Sequence, residues 1–181
     1  MPLTQLDSHA ALIVIDLQKG IVGLAPSAGE IVARAAQLAR AFRERGLPVV
    51  LVNVSGRAPG RTEVSFAGHA FPPDWTDLVP ELDWQPTDYL VTKQRVGAFI
   101  GTSLHDYLQQ QGVTQVFFAG ISTSVGVEAA ARCAYDYGYN VVLVADAMTD
   151  RSPEAHTYSV EKIFPRLGEV DTTENVLARL K

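Results

Sequence analysis

Paired cysteines, an excess of positive charge and long apolar runs are all missing from this chain, and each absence removes a class of function. The single cysteine, Cys133, cannot close a disulfide within the chain and suits a reducing compartment. A formal net charge of -5 leaves no basic footprint for a nucleic-acid partner. No stretch approaches the roughly 18 apolar residues that cross a bilayer as a helix, so no membrane partner is expected. The opening residues MPLTQLDSHA lack the basic stretch and apolar core of a secretion signal, which points to a cytoplasmic location. No GxGxxG follows an apolar run, which argues against a dinucleotide site. His9, His69, His105 and His156 are scattered without metal-ligand spacing, so neither metal nor organic cofactor is expected.

What the chain does have is an ordinary globular balance, with 47% hydrophobic and 19% charged residues over 181 positions. That length fits one domain, residues 1–181, with no linker, repeat or low-complexity tract. Five β-branched-rich runs read as strands buried on both faces: Ala11–Ile15, Val49–Val54, Tyr89–Val91, Val116–Ala119 and Val141–Ala145. Helical patterns separate them. Ile31, Ala35, Leu38 and Phe42 recur at helical spacing, and Gly46-Leu47-Pro48 stops that helix. Leu104, Tyr107 and Leu108 mark a second helix, Val127–Tyr137 a third, and Pro153–Phe164 a fourth with Ser152 as its N-cap. Gly168–Val170 reads as a short sixth strand before a last helix capped by Thr172 or Thr173. Strands alternating with helices predict a three-layer α/β/α domain around a mostly parallel sheet of five or six strands, Rossmann-like in class. The segment Ser55–Pro86 breaks this rhythm. It carries half of the prolines and both tryptophans, and reads as a pocket wall or an oligomer contact anchored by Trp75 and Trp84.

Ligands of open parallel sheets bind at the carboxyl ends of the strands. That rule selects Asp16, Asn53, Lys93, the loop Gly120–Gly126 and Asp146. Asp16 follows five apolar residues, so its carboxylate starts half buried; burial raises a carboxyl pKa and a nearby ammonium lowers it. An Asp–Lys pair at neighbouring strand ends can therefore be tuned for proton transfer. It can equally be a turn-capping Asp neutralised by a Lys, and spacing leaves both readings open. Asp146 and Asp150 read as turn-closing residues after the fifth strand. The charges around Arg40–Arg45 read as a solvated helix face.

The segments ALIVIDLQKGIV, LPVVLVNV, VTKQRVGAF and AGISTSVGVEAAARCAYDYGYNVVLVADAMTD occur in an order that resembles the isochorismatase-like hydrolases, the group that also holds the cysteine hydrolases. The resemblance covers nearly all of Ala11–Asp150. It implies an enzyme of that α/β fold in which Asp16 and Lys93 are catalytic. It also implies a cis peptide at Ile121–Ser122 and a pocket formed by Gln18, Ile121, Ser122, Ser124 and Val125. Homo-oligomers, as dimers or larger, are common in the family.

One departure decides the chemistry. Cysteine hydrolases carry their thiol where this chain has Gly126, in GISTSVG. Without it, acyl transfer on an amide has no nucleophile. Isochorismatases proper also lack the thiol, and their reaction as the resemblance implies it needs a protonated Asp16 to deliver a proton to a vinyl-ether carbon, with Lys93 as its partner. The substitutes for a thiol are weak. Cys133 lies two helical turns on and reads as a small core residue. Ser122, Thr123 and Ser124 have no flanking histidine to serve as base and are explained by turn hydrogen bonds and capping. Three readings follow: a cofactor-free hydrolase of a vinyl ether such as isochorismate, an amidase-like hydrolase using Ser124 or an activated water, and a catalytically silent binder of small molecules. The family's aromatic and Ser inside the Lys motif are replaced here by Val96 and Gly97, and its Gln after the second strand by the Ser55–Arg57 region, so a pocket of different shape is expected.

Overall fold

The computed structural model describes residues 2–25, 27–63 and 71–181. Within them six strands form one parallel sheet: β1 (Ala10–Ile15), β2 (Val49–Val54), β3 (Tyr89–Lys93), β4 (Gln115–Ile121), β5 (Asn140–Thr149) and β6 (Glu169–Asp171). Their spatial order is β3-β2-β1-β4-β5-β6. The helices are α1 (Lys19–Val22), α2 (Ala28–Glu44), α3 (Leu104–Gln110), α4 (Glu128–Asp136), α5 (Pro153–Tyr158) and α6 (Thr173–Arg179).

The near-continuous apolar strands are explained by two cores, one on each face of the sheet. Leu12 and Val14 point to one face, where Ile31, Leu38 and Phe42 of α2 and Val176 of α6 pack on them. Ile13 and Ile15 point to the other, covered by Leu104 and Leu108 of α3 and by Ala130 and Ala134 of α4. All six residues of β1 are therefore buried. Burying a side chain of this kind contributes about 1.5–3 kcal/mol, and the alternation of a strand directs it to both faces. No helix among the described residues is long and apolar enough to cross a membrane.

The chain runs outward from β1 through β2 to β3, then returns to start β4 on the other side of β1. The direction of winding reverses between β1 and β4, and a crevice opens at their carboxyl ends. Gly120 makes the close approach there possible. It lies opposite Ile15 with φ 123°, and a Cβ at this position would sit 2.0 Å from the Ile15 carbonyl oxygen. Past Phe118 the β4–β5 register shifts so that Gly120 pairs with Met148.

Several local expectations are revised. β5 runs to Thr149, so Asp146 lies inside the bulged strand rather than in a turn after it. There it accepts hydrogen bonds from the backbone N–H and hydroxyl of Thr173, at 2.7 and 2.9 Å, and anchors the start of α6. The fourth helix is regular only to Tyr158. It then widens over Ser159–Ile163 and tightens over Phe164–Arg166, where Pro165 has no N–H to continue the ladder. Ser152 and Thr172 cap α5 and α6 by accepting from the N–H groups of Ala155 and Asn175. Arg43 does not belong to a solvated face: its guanidinium grips the buried Asp88 carboxylate in two bonds of 2.9 and 2.7 Å. The short helix α1 has no clear period in the sequence.

In the irregular segment Ser55–Pro86, residues 72–78 lie against α1. The N–H groups of Lys19 and Gly20 donate to the Asp77 and Trp75 carbonyls, at 2.8 and 3.1 Å. Trp75 packs against Phe71, whereas Trp84 is exposed. His69 lies outside the described residues.

Candidate active site

The parallel register sets the ends of the central strands level: Ile15 pairs with Val52 on one side and Gly120 on the other, while Val54 pairs with Lys93. Asp16 follows β1 directly. Its φ of 54° is a left-handed conformation that Asp tolerates better than most residues, and its N–H donates to the Val52 carbonyl at 2.8 Å. The turn leaves the residue only 5% exposed.

Lys93, at the end of β3, is 1% exposed. Its Nζ lies 2.9 Å from Asp16 Oδ2 and donates to the Val96 carbonyl at 2.7 Å. The other carboxylate oxygen, Asp16 Oδ1, is buried without a hydrogen-bond partner among the described residues. An unpartnered buried oxygen costs on the order of 1–3 kcal/mol, so such a group in a native site is informative. Burial pushes the Asp16 carboxyl up from its ordinary 3.8 to about 6, against the opposing pull of Lys93. The turn-capping alternative does not account for a free oxygen on an acid held near neutrality.

The third element is the turn after β4. The Ile121–Ser122 peptide bond is cis. Residues Thr123–Val127 then form one wide helical turn that leads into α4. Gly126 faces the ion pair: a Cβ built there would lie 3.2 Å from Asp16 Oδ2 and 3.3 Å from Lys93 Nζ. Asp16, Lys93 and Gly126 are thus brought together on the wall of one open cavity of about 320 Å³, with Ile121, Ser122 and Val125 beside them. Its mouth carries exposed apolar side chains, Leu24, Val96 and Val125, and three arginines, Arg57, Arg95 and Arg151.

Two of the residues assigned to the pocket are spent elsewhere. Gln18 is fully buried and does not line the cavity. Its amide donates to the carbonyls of Val54 and Trp75, at 3.1 and 2.9 Å, and accepts from the Val54 N–H at 2.7 Å. It pins residues 72–78 to β2 and has no bonding capacity directed at a substrate. Ser124 also lies off the cavity wall. Its N–H and hydroxyl both donate to Asp150 Oδ2 at 2.8 Å. Asp150, which lines the cavity, accepts from the Ser152 N–H at 3.3 Å in the turn after β5, as the sequence suggests, and its other oxygen braces the turn after β4, which the sequence did not suggest. Asn53 sits at its strand end but donates to the Thr76 carbonyl at 2.9 Å and does not reach the cavity. Cys133 sits half-buried in α4, and burial raises its thiol pKa. No cluster of metal-ligating side chains occurs among the described residues.

Sequence reasoning missed Arg151 and Arg95, and it missed a histidine beside the turn hydroxyls. Arg95 and Arg151 follow Lys93 and Asp150 closely, so extending the strand-end rule by one or two residues would have found both. His156 Nδ1 lies 2.8 Å from Thr123 Oγ1, a contact across 33 residues that no local signal announces.

The space at Gly126 has a measurable consequence. The Cβ introduced by Gly126→Cys needs its neighbours to give by a few tenths of an ångström, a crowding of about 1–3 kcal/mol. The adjacent ammonium favours the thiolate. The Gly126→Cys variant is expected to react with iodoacetamide at least tenfold faster than Cys133 of the wild type, a ratio of roughly one pKa unit in thiolate fraction. Equal rates would show that the Lys93 ammonium gives no net stabilisation to a thiolate at this position.

Comparisons with known proteins bear on this arrangement. The family model described as the isochorismatase domain matches residues 10–175. A solved isochorismatase family protein from Burkholderia thailandensis superposes with a TM-score of 0.93 at 42% identity, over 97% of each chain. A probable isochorismatase of Pseudomonas chlororaphis is 31% identical over 93% of this chain and 85% of its own length. The ureidoacrylate amidohydrolase RutB of Stutzerimonas stutzeri is 30% identical over 94% and 83%.

Proposed function

Because the chain belongs to the isochorismatase family of hydrolases, we propose that it hydrolyses a small anionic vinyl ether of the isochorismate type, in the cytoplasm and without a cofactor. The observation that carries this reading is an acid poised near neutrality, Asp16, with one unpartnered oxygen beside a cavity whose nucleophile position is occupied by Gly126. Such a site is equipped for proton transfer and lacks the thiol for acyl transfer.

In this mechanism protonated Asp16 gives its proton to the terminal methylene carbon of the enol ether. The adjacent carbon becomes an oxocarbenium ion, the ionised Asp16 takes a proton from a water, and that water adds to the cation. The hemiketal collapses to pyruvate and the alcohol, with one water consumed and the proton restored to Asp16. Lys93 holds the carboxyl in place through its 2.9 Å contact and limits how far burial raises its pKa. The open volume at Gly126 leaves room for the enolpyruvyl group and the water. Arg57, Arg95 and Arg151 at the mouth suit substrate carboxylates, and Leu24, Val96 and Val125 suit an apolar ring.

The relationship to RutB supports a second reading, an amidase-like hydrolysis by an activated water with Asp16 as base. Ser124 is poorly placed for it, because its hydroxyl donates to Asp150 and the residue does not line the cavity. The pH profile separates the two. For an acid, kcat/KM is expected to be level below pH 6 and to fall tenfold per pH unit above the Asp16 pKa of about 6. A base requires the opposite limb, rising with pH up to about 6. Pyruvate release from isochorismate, followed from pH 5 to 8, is the direct test. No pyruvate at any pH would overturn the vinyl-ether reading. A homo-oligomer is part of the proposal, supported by exposed side chains outside the cavity such as Trp84, Ile100, Tyr135 and Tyr137.

A further inference from the structure

The turn that carries Ser122 and Gly126 is gripped from outside at three points, all by one segment of chain. Thr123 Oγ1 is 2.8 Å from His156 Nδ1, at the centre of α5. Ser124 donates twice to Asp150 Oδ2 at 2.8 Å. The Ser159 hydroxyl donates to Glu128 Oε2 at 2.7 Å, at the first residue of α4. Thr123 is completely buried, so its hydroxyl can meet no substrate, and a Thr–His pair there is not a nucleophile and its base. Outside its helical ladder the turn holds itself, among the described residues, by two backbone bonds, from the N–H groups of Val125 and Val127 to the Ser122 carbonyl.

We infer that His156, acting through Thr123, is a positioning residue that holds the Ser122–Gly126 turn against Asp16. Gly126 is what closes Asp16 off on that side, with its would-be Cβ 3.2 Å from Oδ2. Letting the turn retreat admits water to the carboxyl. Lys93 remains the charged group facing it, so hydration works in the direction of a lower Asp16 pKa. A wetter carboxyl of lower pKa is then less often protonated at neutral pH. Burial also keeps the His156 imidazole below its ordinary 6.5, opposed by the nearby Asp150, which favours the neutral ring in this contact.

The inference rests on the reading that Asp16 is the working acid, and its test has a readout that needs no substrate. Thr123→Val and His156→Gln are made, with Thr123→Ser as the conservative control that keeps the hydroxyl. The Asp16 side-chain carboxyl is titrated by carbon-13 NMR, and folding is checked by thermal melting. Both disruptive variants are expected to lower the Asp16 pKa by about one unit, and Thr123→Ser to restore it. With isochorismate, kcat is expected to fall about tenfold at pH 7.5 with KM changed less than threefold. An Asp16 titration unchanged in a folded Thr123→Val or His156→Gln overturns the inference. A lowered pKa in an enzyme whose wild type releases no pyruvate supports the brace while overturning the vinyl-ether reading, so the two failures are distinct. Thr123→Val failing to fold leaves His156→Gln, whose partly exposed side chain is the milder change, to decide the matter.

Discussion

Asp16→Asn is expected to reduce pyruvate release from isochorismate by a hundredfold to ten-thousandfold, the range that a positioned general acid typically contributes. The asparagine amide has nearly the same volume as the carboxyl and can accept from Lys93 Nζ, which keeps its bond to the Val96 carbonyl. The variant therefore loses the transferable proton while retaining the cavity. Steady-state kinetics should show the loss in kcat with KM nearly unchanged, since no binding group has been removed. A folded Asp16→Asn that keeps a tenth or more of the wild-type rate would rule out Asp16 as the acid. Retained ligand binding with no activity even in the wild type would instead favour a silent binder.

The second large effect is on stability. Lys93→Met removes the cation in contact with Asp16 and leaves a buried carboxylate uncompensated, at a cost of about 3–5 kcal/mol near pH 8. For a chain of this size that is a fall in Tm of roughly 6–20 °C. The sign of the pH dependence is fixed by linkage. Asp16 has a native pKa above its ordinary 3.8, and losing Lys93 raises it further. The native state therefore holds a proton that the unfolded chain releases. The relative stability this gives is fully present below pH 3.8 and is lost as pH rises through the native pKa. The Tm gap between Lys93→Met and wild type is thus expected to be widest at pH 8 and to narrow toward pH 5. A gap independent of pH would mean that Lys93 stabilises by packing its butyl chain and not by charge.

The strands were legible because each is a compact apolar run, and the α/β/α class followed from their alternation with helices. Asp16, Lys93 and Gly126 were legible because each stands at a strand end or in the turn that follows one. Gln18 shows the limit of that reasoning. It sits two residues past Asp16, but the backbone there carries its amide toward Val54 and Trp75 and away from the cavity. Arg43 shows the same limit on a helix, where a surface charge pattern turned out to contain the buried partner of Asp88.

Local sequence determines where apolar side chains recur, which residues break or cap a helix, and which position lacks a thiol. These are properties of neighbours along the chain, and they sufficed for the sheet and for the missing thiol at Gly126. The tertiary structure decided the rest. The rise in the Asp16 pKa and its unpartnered oxygen come from burial, and the Lys93–Asp16 and His156–Thr123 contacts join residues 77 and 33 positions apart. Desolvation and hydrogen-bond pairing depend on what folding brings alongside a group, and no pattern within one strand or helix encodes it.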